Sequence, residues 1–597
     1  MNLTKDIEAK FKKLGVNSWC ELALNIPHSY EDLTLHPKIE ISKPQLIDAT
    51  VESIFRSANS IQITFFAHNL GHSINGVLFR PKPYMMHQFK VGERDYFYGV
   101  INCNAGLCSM AMPRKTTSVG SITPKYKSAL RSDVMYRLIQ KNLTLEVLLN
   151  EGLKESVARE ILSLHFPKTL LNTKELDPKS IDALKYLELF CYMRVLSKKR
   201  RYFKPLVSVE SEFTSWASTL PFTLTDEQIQ TIEDIQIDFS KDVASKRMIV
   251  GDVGSGKTMV ILASAFMMLP FRSILMAPTT ILANQLYEEA QKYLPNVKSV
   301  LVTNKSRKLD LSEYDFIIGT HALLYRDLPD AALVMVDEQH RFGTAQRNLL
   351  EKIVSEGELK PHFLQFSATP IPRTQAMIET AHIDVSLITT TPFVKNITSK
   401  VIHKSDFKDL LVHIKEQISK NNQVLLVYPL VEQSEFLDYQ SIEEARSYWE
   451  NNFKNVYVTH GKDKQKEEVL LDFRESGDIL IATTVVEVGI SLPRLTTVVI
   501  VGAERLGLST LHQLRGRVSR TGLQGYCYLY TNQSSSDRLE RFVDTVSGFD
   551  IANLDLKFRK GGDLLRGATQ SGSQFKWIDL AEDEEIVKSV KEDLAPT

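Results

Sequence analysis

A glycine-rich segment of eight residues constrains this chain of 597 residues more than any other part of its sequence. Residues 251–258 read GDVGSGKT, between an apolar strand-like run and an apolar helix-like run. Glycines in that setting let backbone N–H groups surround phosphate oxygens at a helix N-terminus. Lys257 then supplies a charge for the β and γ phosphates, and the Thr258 hydroxyl is a ligand for Mg²⁺. The predicted triphosphate-binding residues are Gly251, Asp252, Val253, Gly254, Ser255, Gly256, Lys257 and Thr258.

An acidic pair further along the chain complements this segment. Asp337 and Glu338 follow the apolar run ALVMV, which is typical of a buried parallel strand. Open α/β sheets bind ligands at the carboxyl ends of their strands. Asp337 is therefore predicted to be a second Mg²⁺ ligand, and Glu338 to orient and deprotonate an attacking water. Without the phosphate-binding segment, such a pair would as readily cap a helix.

The rhythm of apolar residues changes twice along the chain. Short alternating strands from about Gln45 to Ile122 predict a small β-barrel, with an OB-like barrel favoured. Helical periodicity from about Ser128 to Lys204 predicts a connector that ends in a basic run. Buried strands then alternate with amphipathic helices in two series, which predicts two α/β lobes. The predicted domains are residues 1–127, 128–205, 206–395, 396–534 and 535–597.

Composition excludes few classes of protein. Lys plus Arg and Asp plus Glu are both 72, so a phosphate-binding surface requires local segregation of charge. The five cysteines lack the spacing of a zinc site and the density of a disulfide scaffold, which predicts reduced thiols in a cytosolic protein. The charged N-terminus and the shortness of the longest apolar run predict neither export nor membrane insertion.

Four further segments give the chain a specific resemblance. DEQH (337–340), SATPIPRT (367–374), ATTVVEVGISLP (482–493) and QLRGRVSRTG (513–522) follow the phosphate-binding segment in the order found in helicases of superfamily two. Within that group the chain is similar to the RecG family of branched-DNA translocases. The segments that carry this closer likeness are KLGVNSWCELALNIPHSYED (13–32), VLFRPKPYMMHQFKVGE (77–93) and GFDIANLDLKFRKGGDLLRGATQSG (548–572).

The resemblance implies a multidomain fold with ATP and Mg²⁺ as cofactors. Its parts are an N-terminal OB-like β-barrel wedge, a helical connector, two RecA-like α/β P-loop lobes and a C-terminal helical hairpin. Gln228 aligns with a glutamine that reads adenine, although a surface glutamine of a helix is the alternative. Arg517 and Arg520 align with arginines that reach the γ-phosphate, although structural arginines in salt bridges are the alternative. They lie far along the chain from Lys257, so they reach it only when two lobes close.

Roles outside the ATP site are implied in the same way. Phosphate contacts along the nucleic-acid track are implied for Thr279, His321 and Thr484, with capping of a turn as the equal alternative for each. Stacking on base pairs at a branch is implied for Phe79 and Tyr84, with burial in the barrel as the alternative. Coupling of hydrolysis to movement is implied for Ser367, Thr369, Gln513, Arg559, Arg566 and Gln570. The basic run 196–204 is either a guide for duplex DNA or a solvated helix end.

The chain departs from the family pattern in three places. Thr569 replaces an arginine of the hairpin, which predicts weaker transmission of the motor stroke. Ser491 replaces an aspartate that usually reaches the ribose, which predicts laxer nucleotide binding. The segment 382–400 lacks the usual proline-rich linker, which predicts a different hinge between the lobes.

Together these features predict a monomeric, cytoplasmic, ATP-dependent motor on duplex DNA. It would regress stalled forks and migrate Holliday junctions in DNA repair and recombination, with a single-strand-binding protein as a partner implied by the family. One alternative is a translocase that displaces RNA polymerase. A junction-binding protein that has lost motor activity and an RNA-unwinding enzyme are the others.

Overall fold

A computed structural model gives the fold of this chain. It describes residues 4–594 except 58, 83–84, 86–87, 105–106, 173–174, 201, 307–308, 339–340, 344, 347–348, 351–357, 370, 394–395, 432–438, 485–490, 519–521 and 567–574, and only the backbone of 559–566. Two compact units are present: Met1–Tyr192 with Phe575–Ile578 and Glu592–Thr597, and Met193–Gln574 with Asp579–Lys591. No helix among the described residues has the length and apolar character needed to cross a membrane.

The first unit contains a closed five-stranded barrel. The strands of this unit are β1 (Ser29–Asp32), β2 (Lys43–Arg56), β3 (Ser60–Ala67), β4 (His72–Phe79), β5 (Arg94–Asn104), β6 (Leu107–Lys115) and β7 (Ile122–Lys125). The barrel closes in the order β2-β3-β4-β6-β5, with β4 parallel to β6, while β1 pairs with β7. Every second residue of β3 points into the barrel core, as the period of two requires. The predicted OB-like barrel is confirmed.

Two of the cysteines are joined between neighbouring strands of this barrel. Cys103 on β5 lies directly opposite Cys108 on β6, and their sulfurs form a disulfide. The prediction that all five cysteines are reduced thiols is therefore wrong for this pair. A hairpin places the two residues in register, with Cα atoms 4.1 Å apart, which their spacing in the sequence did not reveal. Cys20, Cys191 and Cys527 are free and buried.

The helices of the first unit are α1 (Lys5–Leu14), α2 (Trp19–Ala23), α3 (Ser132–Asn142), α4 (Leu145–Asn150), α5 (Glu155–His165) and α6 (Pro178–Ser197), the last of which continues past Tyr192 into the second unit. Helix α5 ends at a buried histidine, His165. His165 Nε2 lies 2.9 Å from the carbonyl oxygen of Ala23 and therefore donates to it. The Tyr126 hydroxyl, 3.0 Å from Nδ1, then donates to the ring. These two bonds hold the imidazole in its neutral form.

We expect acid to destabilise this unit through His165. Burial lowers the pKa of His165 to about 4, whereas the unfolded chain takes up this proton below about pH 6.5. This contribution to stability is complete above pH 6.5 and is lost as the pH falls toward 4, by about 2 kcal/mol at pH 5. Calorimetric unfolding at pH 7 and pH 5 measures the loss. His165→Gln, which keeps a donor and an acceptor but does not titrate, should reduce it; an equal loss in this variant would contradict the assignment.

The second unit contains two parallel sheets. The strands of lobe 1 are β9 (Lys246–Gly251), β10 (Ser273–Met276), β11 (Ser299–Val302), β12 (Phe316–Gly319), β13 (Leu333–Val336), β15 (His362–Ser367) and β16 (Asp384–Ile388), and a separate pair is formed by β8 (Lys204–Pro205) and β14 (Leu359–Lys360). Those of lobe 2 are β17 (Ile397–Ile402), β18 (Gln423–Val427), β19 (Val456–Thr459), β20 (Ile479–Ala482), β21 (Leu495–Val501) and β22 (Gly525–Tyr530). The sheet orders are β11-β12-β10-β13-β15-β9-β16 and β17-β22-β21-β18-β20-β19.

Helices follow most of these strands, and the central strands of both sheets are buried, as is usual for parallel sheets. The helices are α7 (Thr214–Ala217), α8 (Asp226–Ser240), α9 (Lys257–Met267), α10 (Thr280–Tyr293), α11 (Arg373–Glu379), α12 (Phe407–Ser419), α13 (Ile442–Asn452), α14 (Lys466–Ser476), α15 (Leu508–Arg515), α16 (Asp537–Asp544), α17 (Gly548–Arg566) and α18 (Glu584–Leu594). Single 3₁₀ turns are Leu311–Glu313, His321–Tyr325, Lys404–Asp406 and Ala503–Arg505. The two predicted RecA-like lobes are confirmed.

A carboxylate fixes the start of the segment between the lobes. Glu227, at the N-terminus of α8, accepts hydrogen bonds from the backbone N–H and hydroxyl of both Thr389 and Thr390, at 2.6–2.9 Å. The segment between the lobes is therefore held by side-chain contacts at this end.

The helix α17 begins in contact with both lobes. Phe549 packs with Met248 and Val250 of lobe 1, and Ile551 belongs to the apolar core of lobe 2. Of the predicted hairpin residues, Thr569 and Gln570 lie outside the described residues, and only the backbone of Arg559 and Arg566 is described.

Candidate active site

The phosphate-binding segment forms a tight loop between β9 and α9. Gly256 adopts a left-handed backbone with φ of 78°, and a Cβ atom on it would lie 2.2 Å from Gln228 Nε2. Only glycine fits this position without displacing the loop. The Ser255 hydroxyl is buried and has no hydrogen-bond partner in the part of the chain that is described. A cradle of this shape, at the N-terminus of a helix, fits a phosphate group.

The side-chain amide of Gln228 is hydrogen-bonded to this loop. Its Nε2 donates to the carbonyl oxygen of Ser255 at 2.8 Å, and its Oε1 accepts from the Thr225 N–H at 2.9 Å. The side chain is only 2% exposed, so the alternative of a surface glutamine is wrong. One N–H and one lone pair remain available, and contact with adenine stays a prediction.

The acidic pair lies at the end of β13, on the same edge of the sheet as the loop. Burial, together with the neighbouring charge of Glu338, raises the pKa of Asp337 to about 7, and the charge of Lys257 offsets part of the shift. A carboxyl group in this environment gains stability from a bound cation. Glu338 has a φ of 50°, which is unusual outside glycine and typical of functional positions.

A short series of contacts leads from Glu338 to lobe 2. The Ala368 N–H donates to Glu338 Oε2 at 3.3 Å, and the next residue, Thr369, accepts a bond from Gln513 Nε2 at 2.8 Å. The Ser367 hydroxyl steadies this turn by accepting from the Thr369 N–H at 3.2 Å. The three predicted coupling residues Ser367, Thr369 and Gln513 are thus brought together at the boundary of the lobes.

One cavity of about 390 Å³ contains both halves of the predicted ATP site. From lobe 1 it is lined by Lys257, Thr258, Asp337 and Glu338, with Val253, Gly254 and Gly256 of the loop. From lobe 2 it is lined by Ser491, Gln513 and Arg517. Arg517 is 7% exposed, and Arg520 lies outside the described residues. The structure therefore places at least one of the two arginines opposite the phosphate loop.

Three of the predicted DNA-contacting residues, Thr279, His321 and Thr484, do not line this cavity. Thr279 and His321 follow the neighbouring strands β10 and β12, and Thr484 follows β20 in lobe 2. Thr279 caps α10, its hydroxyl accepting from the Leu282 N–H at 3.2 Å, while His321 is exposed. Phe79 is 60% exposed at the end of β4, so the alternative of a buried barrel aromatic is wrong for it. Tyr84 lies outside the described residues.

One contact between the lobes was not predicted from the sequence. His512 Nε2 lies 2.5 Å from Asp252 Oδ1, and both side chains are buried. Asp252 was predicted only as part of the phosphate loop. Nothing in the local sequence distinguishes His512 from a histidine buried in the core of lobe 2, because its partner is far away along the chain.

Comparison with known proteins gives a consistent result. Residues 225–378 match the DEAD/DEAH box helicase family, and residues 405–522 match the helicase conserved C-terminal domain. The chain is 44% identical to the ATP-dependent DNA helicase RecG of Helicobacter pylori (98% of this chain, 96% of that protein) and 31% identical to that of Streptococcus pneumoniae (98% and 92%). A structure of RecG bound to a three-way DNA junction matches with a TM-score of 0.57 and 25% identity, over 99% of this chain and 84% of that one. The likeness thus extends well beyond the two lobes.

Proposed function

This chain belongs to the RecG family of ATP-dependent DNA helicases, and on that premise we propose that it is an ATP-driven translocase that remodels branched DNA. The observation that carries the proposal is the shared cavity at which Lys257, Glu338 and Arg517 meet. The relatives' names and the junction-bound relative support DNA as the track and a branch as the substrate. Regression of stalled forks and migration of Holliday junctions, in repair and recombination, are the proposed outcomes.

The residues around the cavity have different roles in hydrolysis. Bound ATP supplies the bond that is cleaved. Bound Mg²⁺ would supply positive charge that offsets the negative charge of the phosphates. The loop N–H groups and Lys257 hold the phosphates, and Thr258 and Asp337 hold the metal. Glu338 takes the proton of the attacking water. Arg517, together with Arg520, neutralises the charge that develops on the transferred group.

The proposed ligands Thr258 and Asp337 fit a metal ion that is also bound by the phosphates of a nucleotide. No group of three or more His, Cys, Asp or Glu side chains that could hold a metal by itself occurs within the described residues. Mg²⁺ is usually bound in such sites by one or two protein ligands and by the phosphates of the substrate. The buried carboxyl of Asp337, with its raised pKa, gains a compensating charge in that arrangement.

The remaining predicted residues complete the motor. Thr279, His321 and Thr484 grip the phosphate backbone without reading sequence, and the exposed ring of Phe79 stacks at the branch. The functional division is a wedge (1–127), a connector (128–205), two motor lobes (206–395 and 396–534) and a C-terminal segment (535–597) whose hairpin transmits the stroke. Arg559, Arg566 and Gln570 are its transmitting residues.

We further propose that the protein acts as a monomer in the cytoplasm. Both halves of the ATP site belong to one chain, so hydrolysis requires no second copy. A single-strand-binding protein is the proposed partner, on the basis of the family resemblance alone.

ATP turnover measured with different nucleic acids tests this proposal. We expect forked DNA to stimulate hydrolysis at least tenfold more than single strands or structured RNA. Equal stimulation by forked and unbranched duplex would favour a translocase that displaces RNA polymerase. Absence of turnover with tight fork binding would instead identify a junction-binding protein without motor activity.

A further inference from the structure

Three buried polar side chains form a network between the phosphate loop and lobe 2. Asp252, His512 and Arg515 are each at most 5% exposed. His512 Nε2 lies 2.5 Å from Asp252 Oδ1, and Arg515 Nη2 lies 3.0 Å from His512 Nδ1. We refer to these three residues as the loop network. The proposed roles in ATP cleavage account for none of these contacts.

The chemistry of the neighbours fixes the proton positions in this network. A guanidinium group can only donate, so His512 Nδ1 must accept from Arg515. The carboxylate of Asp252 can only accept, so His512 Nε2 must donate to it. His512 is therefore a neutral imidazole in one tautomer, placed between a buried cation and a buried anion. Loss of the central residue would leave both charges buried and separated, which is costly.

The loop network also holds the start of helix α17. The second oxygen of Asp252 accepts a bond from the backbone N–H of Gly548, the first residue of α17, at 3.2 Å. Arg515 donates to the carbonyl oxygens of Phe542 and Val546, in the segment that leads into this helix, at 3.1 and 3.2 Å. Phosphate loop, lobe 2 and α17 are thus joined at a single aspartate.

The same aspartate is in contact with the lysine that senses phosphate. Lys257 Nζ donates to the backbone carbonyl oxygens of Gly251 and Asp252, at 2.8 and 3.1 Å. A phosphate group in the loop competes for these N–H donors, because the lysine must turn toward the anion. Binding therefore alters the contacts of the very residue whose carboxylate holds His512 and Gly548.

We propose that Asp252 reports nucleotide binding from the phosphate loop directly to helix α17, with His512 and Arg515 as positioning residues that maintain this connection. The inference rests on the proposed motor function and adds to it a route of transmission. This route reaches the C-terminal segment without passing through the contact between Thr369 and Gln513.

Hydrogen exchange of the described amides of α17 (548–558) tests the route without DNA. We expect a saturating non-hydrolysable ATP analogue, adenylyl imidodiphosphate with Mg²⁺, to slow exchange there at least threefold in the wild-type protein, because a fixed loop holds Asp252 in place. His512→Leu should abolish this slowing, whereas His512→Gln, which keeps a donor toward Asp252, should preserve most of it. Should His512→Leu fail to fold, Asp252→Ala, which removes both acceptor oxygens, must abolish the slowing instead.

A second histidine of lobe 2 provides the control. His413 is half-buried and contacts the Thr497 hydroxyl at 3.0 Å, so His413→Leu also removes a histidine contact but should leave the slowing intact. Slowing in His512→Leu equal to that of the wild type would overturn the inference, as would equal losses in both histidine variants.

The number of base pairs unwound per ATP hydrolysed provides a second measurement. His512→Leu should lower this ratio at least tenfold while ATP turnover without DNA stays within about twofold of the wild type. A ratio equal to that of the wild type would overturn the inference. If the wild-type protein itself does not unwind forks, the proposed function fails, and the exchange measurement still decides the route.

Discussion

Glu338→Gln is expected to lower ATP turnover by about a thousandfold, which is within the range for removal of a general base. The amide cannot accept the proton of the attacking water, but it keeps the size of the side chain. It also keeps an oxygen that can accept the Ala368 N–H, so the turn that leads to Gln513 should persist. Fork affinity should therefore remain within about threefold of the wild type. Steady-state hydrolysis and fork binding, measured on the same preparation, separate the two effects.

Glu288→Gln is the matched control for this substitution. Glu288 is exposed on α10 of the same lobe, and its replacement removes the same charge without touching the cavity. Turnover in this control should be unchanged. If Glu338→Gln retained more than a tenth of wild-type turnover, another group would have to be the base.

Gly516→Ala is expected to lower the turnover number for ATP by about a hundredfold, the order of loss that small misplacements of reacting groups produce. A Cβ atom at this position would lie 2.7 Å from Val253 Cγ1 and 2.9 Å from Val253 Cβ. The β-branched valine cannot turn away easily, so lobe 2 must shift from the phosphate loop. Arg517, the next residue, shifts with it. Affinity for the ATP analogue should change by less than about threefold, because the phosphates are held by lobe 1.

A second glycine near the same helix serves as the control. A Cβ atom on Gly507, just before α15, would meet no heavy atom within 4 Å, so Gly507→Ala should hydrolyse ATP normally. Both glycines have ordinary negative φ values, so neither substitution strains the backbone. Equal turnover in Gly516→Ala and Gly507→Ala would show that close contact between Val253 and Gly516 is not needed for hydrolysis.

How much of the site could be predicted depends on how far apart the interacting residues lie along the chain. The phosphate loop could be predicted because its glycines, lysine and flanking apolar runs are neighbours in sequence. Asp337 and Glu338 could be predicted because parallel strands end at one edge of a sheet. The position of Arg517 on the far wall of the cavity followed from family resemblance and not from periodicity.

Other contacts could not be predicted, because the sequence does not show which residues become partners. Gln228 was predicted as an adenine contact, and the structure adds hydrogen bonds of its amide to Thr225 and Ser255 that its sequence context did not indicate. Cys103 and Cys108 were expected to be free, but a hairpin sets them opposite each other. Glu227, whose carboxylate accepts hydrogen bonds from the segment between the lobes, belongs to no recognisable sequence motif.

The sequence by itself determined the two nucleotide-handling lobes, the barrel and the loop that receives phosphate. These arise from propensities, apolar periodicity and hydrogen bonds within short stretches of chain. Only the tertiary structure decided that Asp252 meets His512 and Gly548, and that Val253 packs against Gly516. Such contacts arise where the surfaces of the two lobes pack together. Their shape and their buried charges produce no periodic pattern in the sequence.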